Sequence, residues 1–375
     1  MSSTQQFHVG IIGYGLSAKV FHIPFISLTP SLVLHSIVQR SPAPGNSAPD
    51  DFPSIQHFTD VSALLSNPSV DIVIVSTPPN THFSIVRDAL LAGKHVLVEK
   101  PFVPSSSQAY ELAALARKQN RILCVYQNRR CDSDFLTVQK LLRDDHLGRV
   151  IEFETHFDRF RPEKPAASWK ADLSMDDGGG VLYDLGTHLL DQVFVLFGMP
   201  TTVSAKFVNQ REGRLVSGEG EGQEPDSVSL VLSYAERGML VYVRAGVVCV
   251  EKEQVRFWVR GSRGSYHKTG LDPQEGHLRS GGKATDDGFG KEGPSSYGRL
   301  CVVGTDGKIE ERVCETVEPE TYRRFYELFA KAVESGREED VPVPAVQAAH
   351  VLSIIEAARE SAKTGRDAAP VNPST

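Results

Sequence analysis

Three short segments of this 375-residue sequence hold residue types whose spacing could do chemistry. The first is Gly13-Tyr14-Gly15-Leu16-Ser17-Ala18, a G-x-G-x-x-A pattern. It follows an apolar run at residues 7–12 and opens a helix-compatible stretch through Val20, Phe21, Ile23 and Phe25. Each position has a physical reason. Gly13 permits a tight turn, Gly15 has no Cβ to keep a pyrophosphate off the backbone, and Ala18 lets helix and strand pack closely. The helix N-terminus favours phosphate charge, so the motif predicts dinucleotide binding. The end of the next strand refines the ligand. A carboxylate there would bind a ribose 2′-hydroxyl and repel a 2′-phosphate, but this chain places Gln39, Arg40 and Ser41 after Val38. That set suits a 2′-phosphate and favours NADP over NAD. His22 follows on the same helix, where packing or a cofactor-edge role is expected rather than proton transfer.

The other two segments are Glu99-Lys100-Pro101, at the end of a predicted buried strand, and Asp184-Leu-Gly-Thr-His188, in a predicted helix after Gly178-Gly179-Gly180. Spacing of i, i+4 puts Asp184 and His188 on one helical face. A lysine, an aspartate and a histidine converging on a hydroxyl or carbonyl beside a nicotinamide could balance a hydride transfer. Histidine moves a proton near neutral pH, lysine stabilises negative charge on the oxygen, and aspartate binds a hydroxyl or orients the histidine. Each has a plainer alternative, as a surface lysine, a helix-terminal charge and a hydrogen-bonded structural histidine. Sequence spacing alone leaves both open. Asp158, Arg159 and Arg161 follow a strand and Trp169 precedes the candidate helix, so they are further candidates for a substrate pocket.

The elements that must position these groups alternate at first. Strand patterns at residues 7–12, 32–38, 70–76, 95–98 and 122–126 are separated by helix patterns at 82–92 and 105–119, with a Pro-, Ser- and Gly-rich loop at 41–53. This predicts a doubly wound, mostly parallel Rossmann sheet over residues 1–128, with Pro24 kinking or ending the first helix. Residues 129–367 change regime. Helices are expected at 135–142 and 183–197, strands at 150–157, 202–208, 227–233, 240–250, 255–259 and 300–303, and mobile loops at 211–226 and 269–297. Few helices separate those strands, which implies an antiparallel or mixed sheet in an α+β second domain. Helical spacing returns at 322–335 and 345–362, and residues 368–375 are expected to form a disordered tail.

Composition narrows the classes. Forty basic and 47 acidic residues give a net charge of −7, with no basic block to suit nucleic acid or an anionic membrane. Five cysteines without paired spacing argue for reduced thiols, and no ligand spacing supports a metal. The opening residues are short and polar and no apolar run approaches membrane-spanning length, so a cytoplasmic location is expected.

Taken as an ordered set, these motifs resemble the Gfo/Idh/MocA oxidoreductase family over nearly the whole chain. The matching residues are Gly13 to Ala18 with the continuation to Pro24, Ser76-Thr-Pro-Pro-Asn80-Thr-His82, Glu99-Lys-Pro101 and Tyr183-Asp-Leu-Gly-Thr-His188. Gln127 to Asp134, Phe157 to Pro162 and Gly270 to Glu275 resemble one branch, the bacterial and fungal members related to NADP-dependent scyllo-inositol dehydrogenase. The resemblance implies Lys100, Asp184 and His188 as catalytic positions, with His188 exchanging the proton and Lys100 holding the reacting oxygen. It implies that Ser76, Thr77, Pro78, Asn80, His82 and Glu99 line the nicotinamide and ribose, with Asn128 near the nicotinamide. It also implies a small-molecule substrate (a sugar, polyol or cyclitol) and a large open sheet in the second domain, used by a homodimer or larger homo-oligomer. The sequence departs from close relatives at Cys131 and in Asp176 to Gly180, which leaves room for a secondary-metabolite or aromatic carbonyl substrate. The family's fold also hosts a non-catalytic dinucleotide-sensing regulator, the remaining alternative.

Overall fold

The computed structural model describes residues 5–163, 172–220 and 222–371, and they divide into two compact units. The first comprises Met1–Asn128, Gln274–Phe289 and Glu320–Ala349. Its strands are β1 (Phe7–Ile12), β2 (Leu32–Val38), β3 (Gln56–Phe58), β4 (Ile72–Val75), β5 (His95–Val98) and β6 (Leu123–Val125). They form one parallel sheet in the order β3-β2-β1-β4-β5-β6, a doubly wound topology. Ile72 to Val75 and Val96 to Val98 are at most 1% exposed, which explains why these strands read as unbroken apolar runs. Register pairs Ile12 with both Val38 and Val75, Val75 with Val98, and Val98 with Val125. The strands therefore end level, and the segments that follow them leave from one edge.

The helices of this unit include α1 (Ile23–Leu28), α2 (Ala48–Asp51), α3 (Val61–Leu65), α4 (His82–Leu91) and α5 (Ser106–Lys118). Ser105 caps α5, accepting from the Gln108 N–H, as Asp60 caps α3. Two findings differ from the sequence reading. Pro24 does not end the first helix: a π turn at Ala18–His22 runs into α1 with Pro24 in its first turn, where a missing N–H costs least. The 41–53 stretch also contains α2, capped by Ser47.

The second unit comprises Arg129–Pro273, Gly290–Pro319 and His350–Thr375. Helix α6 (Ser133–Arg143) precedes β7 (Val150–Asp158), a π turn at Leu182–Gly186 and α7 (Thr187–Phe197). Then come β8 (Thr202–Asn209), β9 (Arg214–Val216), β10 (Ser227–Tyr234), β11 (Met239–Gly246), β12 (Val255–Gly261), β13 (Gly264–Thr269), β14 (Gly298–Val303) and β15 (Ile309–Cys314). They build a nine-stranded sheet in the order β15-β14-β13-β12-β7-β11-β10-β8-β9, antiparallel except for the β7–β11 pair. Along β7, Phe153, Thr155 and Phe157 are buried, and the Phe153 ring packs edge-on to Phe197 of α7 at 5.2 Å. Glu152, Glu154, His156 and Asp158 take the opposite face.

Several elements lie where the sequence suggested mobile loops or nothing. Strand β9 falls within 211–226, and α8 (Gln274–Arg279), which belongs to the first unit, falls within 269–297. Helix α9 (Thr321–Ser335) also belongs to the first unit, not to the second domain of the sequence reading. It buries Tyr322, Phe325, Tyr326 and Phe329, and Tyr326 stacks on Phe25 of α1 at 5.9 Å. The last helix, α10 (Ala345–Thr364), leads to a segment expected to fray. Instead Ala368 exchanges backbone hydrogen bonds with Val203, and the Val371 carbonyl accepts from the Ser353 hydroxyl.

Candidate active site

In the first unit the candidate groups leave from the carboxyl edge of the parallel sheet. Gly13 follows β1 with φ +101°, and a Cβ there would lie 2.3 Å from the Ser76 carbonyl oxygen. Glycine is required by both conformation and space. Gly15 is different: its φ is ordinary, and a Cβ would meet no protein atom within 4 Å. Neither backbone nor packing demands a glycine there, so the open space fits a ligand backbone approaching the helix start. Ala18 is fully buried. The Ser76 hydroxyl oxygen is buried without a hydrogen-bond partner among the described residues, as expected of a group that faces a polar ligand. These features together fit a dinucleotide.

The Gly13 N–H donates to the Val38 carbonyl at 3.0 Å, which sets the segment after β2 beside the turn. Arg40 and Ser41 are exposed there. Gln39 is not available to a cofactor, because its amide donates to the Asn46 carbonyl and accepts from the Ala48 N–H, both at 2.7 Å. It holds the start of α2. Tyr14 is likewise committed: its hydroxyl donates to Asp51 at 2.5 Å, and burial with this carboxylate raises its pKa. Lys19 lies 4.3 Å over the Tyr14 ring. Leu16 is exposed.

Beyond β4, Thr77 pairs with Thr81 at 2.7 Å, Pro78 is half-buried and Asn80 is exposed. His82 is fully buried. Its Nε2 lies 2.8 Å from the Thr77 carbonyl, and its Nδ1 lies 3.1 and 3.0 Å from the carbonyls of Pro101 and Phe102. Burial lowers its pKa. Instead of lining a cofactor, the ring staples the loop after β4 to the Glu-Lys-Pro loop. Lys100 follows β5, half-buried, and its N–H donates to Glu99 Oε2 at 3.0 Å. Glu99 also accepts from the Ser17 hydroxyl and lies 3.1 Å from His22 Nε2. Burial alone would raise the Glu99 carboxyl; His22, Ser17 and Lys100 outweigh it and hold the pKa below the usual carboxylate value. Asn128 is 9% exposed just beyond β6.

In the second unit, Asp184 is half-buried in the π turn and His188 is 6% exposed in the first turn of α7. The pair therefore spans a π-to-α junction rather than a regular α-helical i, i+4 step, a geometry that often marks functional sites. The His188 ring lies 6.4 Å from that of Phe157, and Arg129 and Arg159 stack over Phe157 at 4.7 and 4.9 Å. A Cβ on Gly179 would meet the Leu173 carbonyl oxygen at 2.0 Å, so the glycine-rich lead-in is demanded by close backbone packing. Asp158 pairs with His156 at 3.2 Å, and the exposed Arg161 accepts at its carbonyl from Arg211. Trp169 lies outside the described residues.

Sequence reasoning missed the groups that lock α7. Arg130 holds Asp191 through two hydrogen bonds of 2.8 and 2.7 Å. The Gln192 amide donates to the Arg129 carbonyl at 2.9 Å and accepts from Arg256 at 2.7 Å, while Arg256 also binds Asp134 and Thr155. The available signal was the polar run Arg129-Arg130-Cys131-Asp132-Ser133-Asp134, too charged for a packed helix start unless paired. Among the described residues, no cluster of His, Cys, Asp and Glu could hold a metal, and no helix is long and apolar enough to cross a membrane.

Two models of one oxidoreductase family match the chain, its NAD-binding Rossmann fold over residues 7–127 and its C-terminal alpha/beta domain over residues 139–372. The uncharacterized oxidoreductase YdgJ of Escherichia coli is 40% identical over 357 residues, covering 95% of this chain and 96% of its own. The scyllo-inositol 2-dehydrogenase (NADP(+)) IolW of Bacillus subtilis is 33% identical over 359 residues, covering 96% and 94%. A solved Yersinia pestis chain superposes with a TM-score of 0.86 at 36% identity, covering 99% of each chain.

Proposed function

Because the chain belongs to the Gfo/Idh/MocA family of oxidoreductases and carries its nucleotide-binding Rossmann domain, we propose that it moves a hydride between NADP(H) and a secondary alcohol/carbonyl pair. The substrate in this reading is a sugar, polyol or cyclitol. The observation that carries it is the shared edge of the six-stranded sheet, from which the Gly15 opening, the Ser76 hydroxyl (unpartnered among the described residues), Arg40 and Lys100 all leave. The glycine turn, Ser76, Thr77, Pro78, Asn80 and Asn128 would hold the dinucleotide. Its nicotinamide supplies the hydride acceptor or donor when bound. Arg40 and Ser41 would take the 2′-phosphate, since the residues directly after β2 are Gln39, Arg40 and Ser41 with no carboxylate among them. Lys100 holds the reacting oxygen, His188 takes up or returns its proton, and Asp184 orients substrate and histidine. Asp158, Arg161 and Trp169 are proposed contributors to the pocket. A cytoplasmic homo-oligomer completes the proposal.

The test starts with NADPH and NADH titrations followed by fluorescence, then an NADP-dependent oxidation screen that includes scyllo-inositol. Arg40→Ala should cut the NADPH preference by about tenfold or more. Lys100→Met should lower turnover by at least about a hundredfold with NADPH binding retained. Undiminished turnover in Lys100→Met would exclude the lysine assignment, and a wild-type preference for NADH would overturn the NADP assignment.

A further inference from the structure

We propose that His22, backed by Tyr326, is a positioning residue for Lys100, holding the Glu99 carboxylate where the glycine turn meets the Glu-Lys-Pro loop. The inference rests on the reading of Lys100 given above. It begins with burial: the His22 side chain is 0% exposed, and a fully buried imidazole must satisfy both nitrogens within the protein. Nε2 lies 3.1 Å from Glu99 Oε1, and Nδ1 lies 2.5 Å from the Tyr326 hydroxyl. A carboxylate only accepts, so Nε2 carries the proton. The Tyr326 hydroxyl lies 2.5 Å from Nδ1 and 3.1 Å from the Phe21 carbonyl; its proton is assigned to the shorter contact, and the Phe21 carbonyl also accepts from the Tyr126 hydroxyl at 3.0 Å. The Tyr126 ring packs against the imidazole at 4.8 Å and fixes its plane.

Glu99 gathers the other ends of this network. Its Oε1 accepts from Ser17, inside the glycine-rich turn, and its Oε2 accepts from the Lys100 N–H. The titratable groups that face it are His22, Lys100, His82 and Tyr326. Without the His22 donor, burial would drive this carboxyl toward its neutral form, and the backbone anchor of Lys100 would weaken with it. Glu99 fixes the proton on Nε2, and Tyr326, more than 200 residues away in sequence on α9, satisfies Nδ1.

The test uses the full-length protein labelled with ¹³C-glutamate, ¹⁵N-histidine and ¹⁵N-lysine, with Glu99→Gln, His22→Gln and Lys100→Arg supplying the assignments. In the wild type, His22 should be seen as the Nε2–H tautomer, and the Lys100 amide peak should move with the Glu99 titration. His22→Phe should raise the Glu99 midpoint by at least about one pH unit, and His22→Gln, whose amide can still donate to Glu99, should restore most of it. Tyr326→Phe, which leaves Nδ1 without its hydroxyl partner, should loosen the ring's hold on Glu99 and raise the same midpoint. NADPH binding should stay within about threefold in the His22 and Tyr326 variants, while kcat on scyllo-inositol, the probe substrate, falls at least about tenfold in His22→Phe. A Glu99 midpoint unmoved in both His22→Phe and Tyr326→Phe would overturn the inference; if His22→Phe does not fold, an unmoved midpoint in Tyr326→Phe does the same. Full turnover in Lys100→Met is a separate result, which removes the parent reading and leaves the nuclear resonance readouts to decide the network.

Discussion

At the scale of single residues, the two motif glycines separate structure from function. Gly13 has a left-handed backbone and no room for a methyl, whereas Gly15 has an ordinary backbone and open space beside it. Gly13→Ala should therefore cost on the order of 2 kcal/mol or more in denaturant titrations. Gly15→Ala should leave stability within about 0.5 kcal/mol of wild type while weakening NADPH binding by about tenfold. Equal destabilisation of the two variants would contradict this division. The turn itself was legible in the sequence because each glycine answers a local steric demand. The uses of Tyr14, Gln39 and His82 were not, because their polar atoms are taken by Asp51, by the Asn46 and Ala48 backbone, and by carbonyls of two loops. Spacing shows which side chains are near a motif; it does not show which of them are already committed to holding the chain in shape.

At the scale of elements, α7 is held by charge buried far from water. Arg256 is 1% exposed and joins β12 to Asp134 of α6, Thr155 of β7 and Gln192 of α7. Removing one partner of such a pair leaves the other charge buried and uncompensated, at a cost of about 3–5 kcal/mol. Arg256→Met should lower the melting temperature accordingly, and Arg256→Met combined with Asp134→Leu should recover part of the loss. A single variant as stable as wild type would show that the pair contributes nothing. Strands of the parallel sheet were readable because both their faces are buried, so that Ile72-Val73-Ile74-Val75 has one physical interpretation. Strand β15 was not: five of its six residues are exposed, and an edge strand without a buried face has no period to detect. Strand β9 and helix α8 are short and lie among glycines and charges that read as loop. The π turns at Ala18–His22 and Leu182–Gly186 leave no mark in the apolar pattern either.

At the scale of the whole molecule, two buried titrations pull stability in opposite directions with pH. Burial raises the Glu292 pKa from 4.5 to about 7, only partly offset by Lys268 at 2.9 Å. A carboxyl with a raised folded-state pKa contributes stability that is full below pH 4.5 and lost as pH rises through 7, by about 2–3 kcal/mol. Burial, then Arg121, lowers the His95 pKa to about 4, and its Nδ1 accepts from the Ile122 N–H at 3.0 Å. That contribution is present above pH 6.5 and lost as pH falls through 4. Urea titrations at pH 5 and pH 8 should show that Glu292→Gln removes a loss of stability between those values that the wild type suffers. An identical pH dependence in both proteins would refute the assignment. The placement of α9 was beyond the sequence for a related reason, since an aromatic stripe states that a helix is buried without naming the surface it meets. Its membership in the first unit has a consequence for synthesis. A ribosome releases all six strands of the parallel sheet early, yet Tyr322, Phe325 and Tyr326 emerge only after most of the second unit has been made. The nascent sheet must wait with Phe25 and Tyr126 lacking their ring neighbours, a sticky surface of the kind that chaperones shield. A chain cut after Asn128 would carry that surface permanently, so excising the nucleotide-binding half as a stand-alone reagent is expected to give an aggregating product.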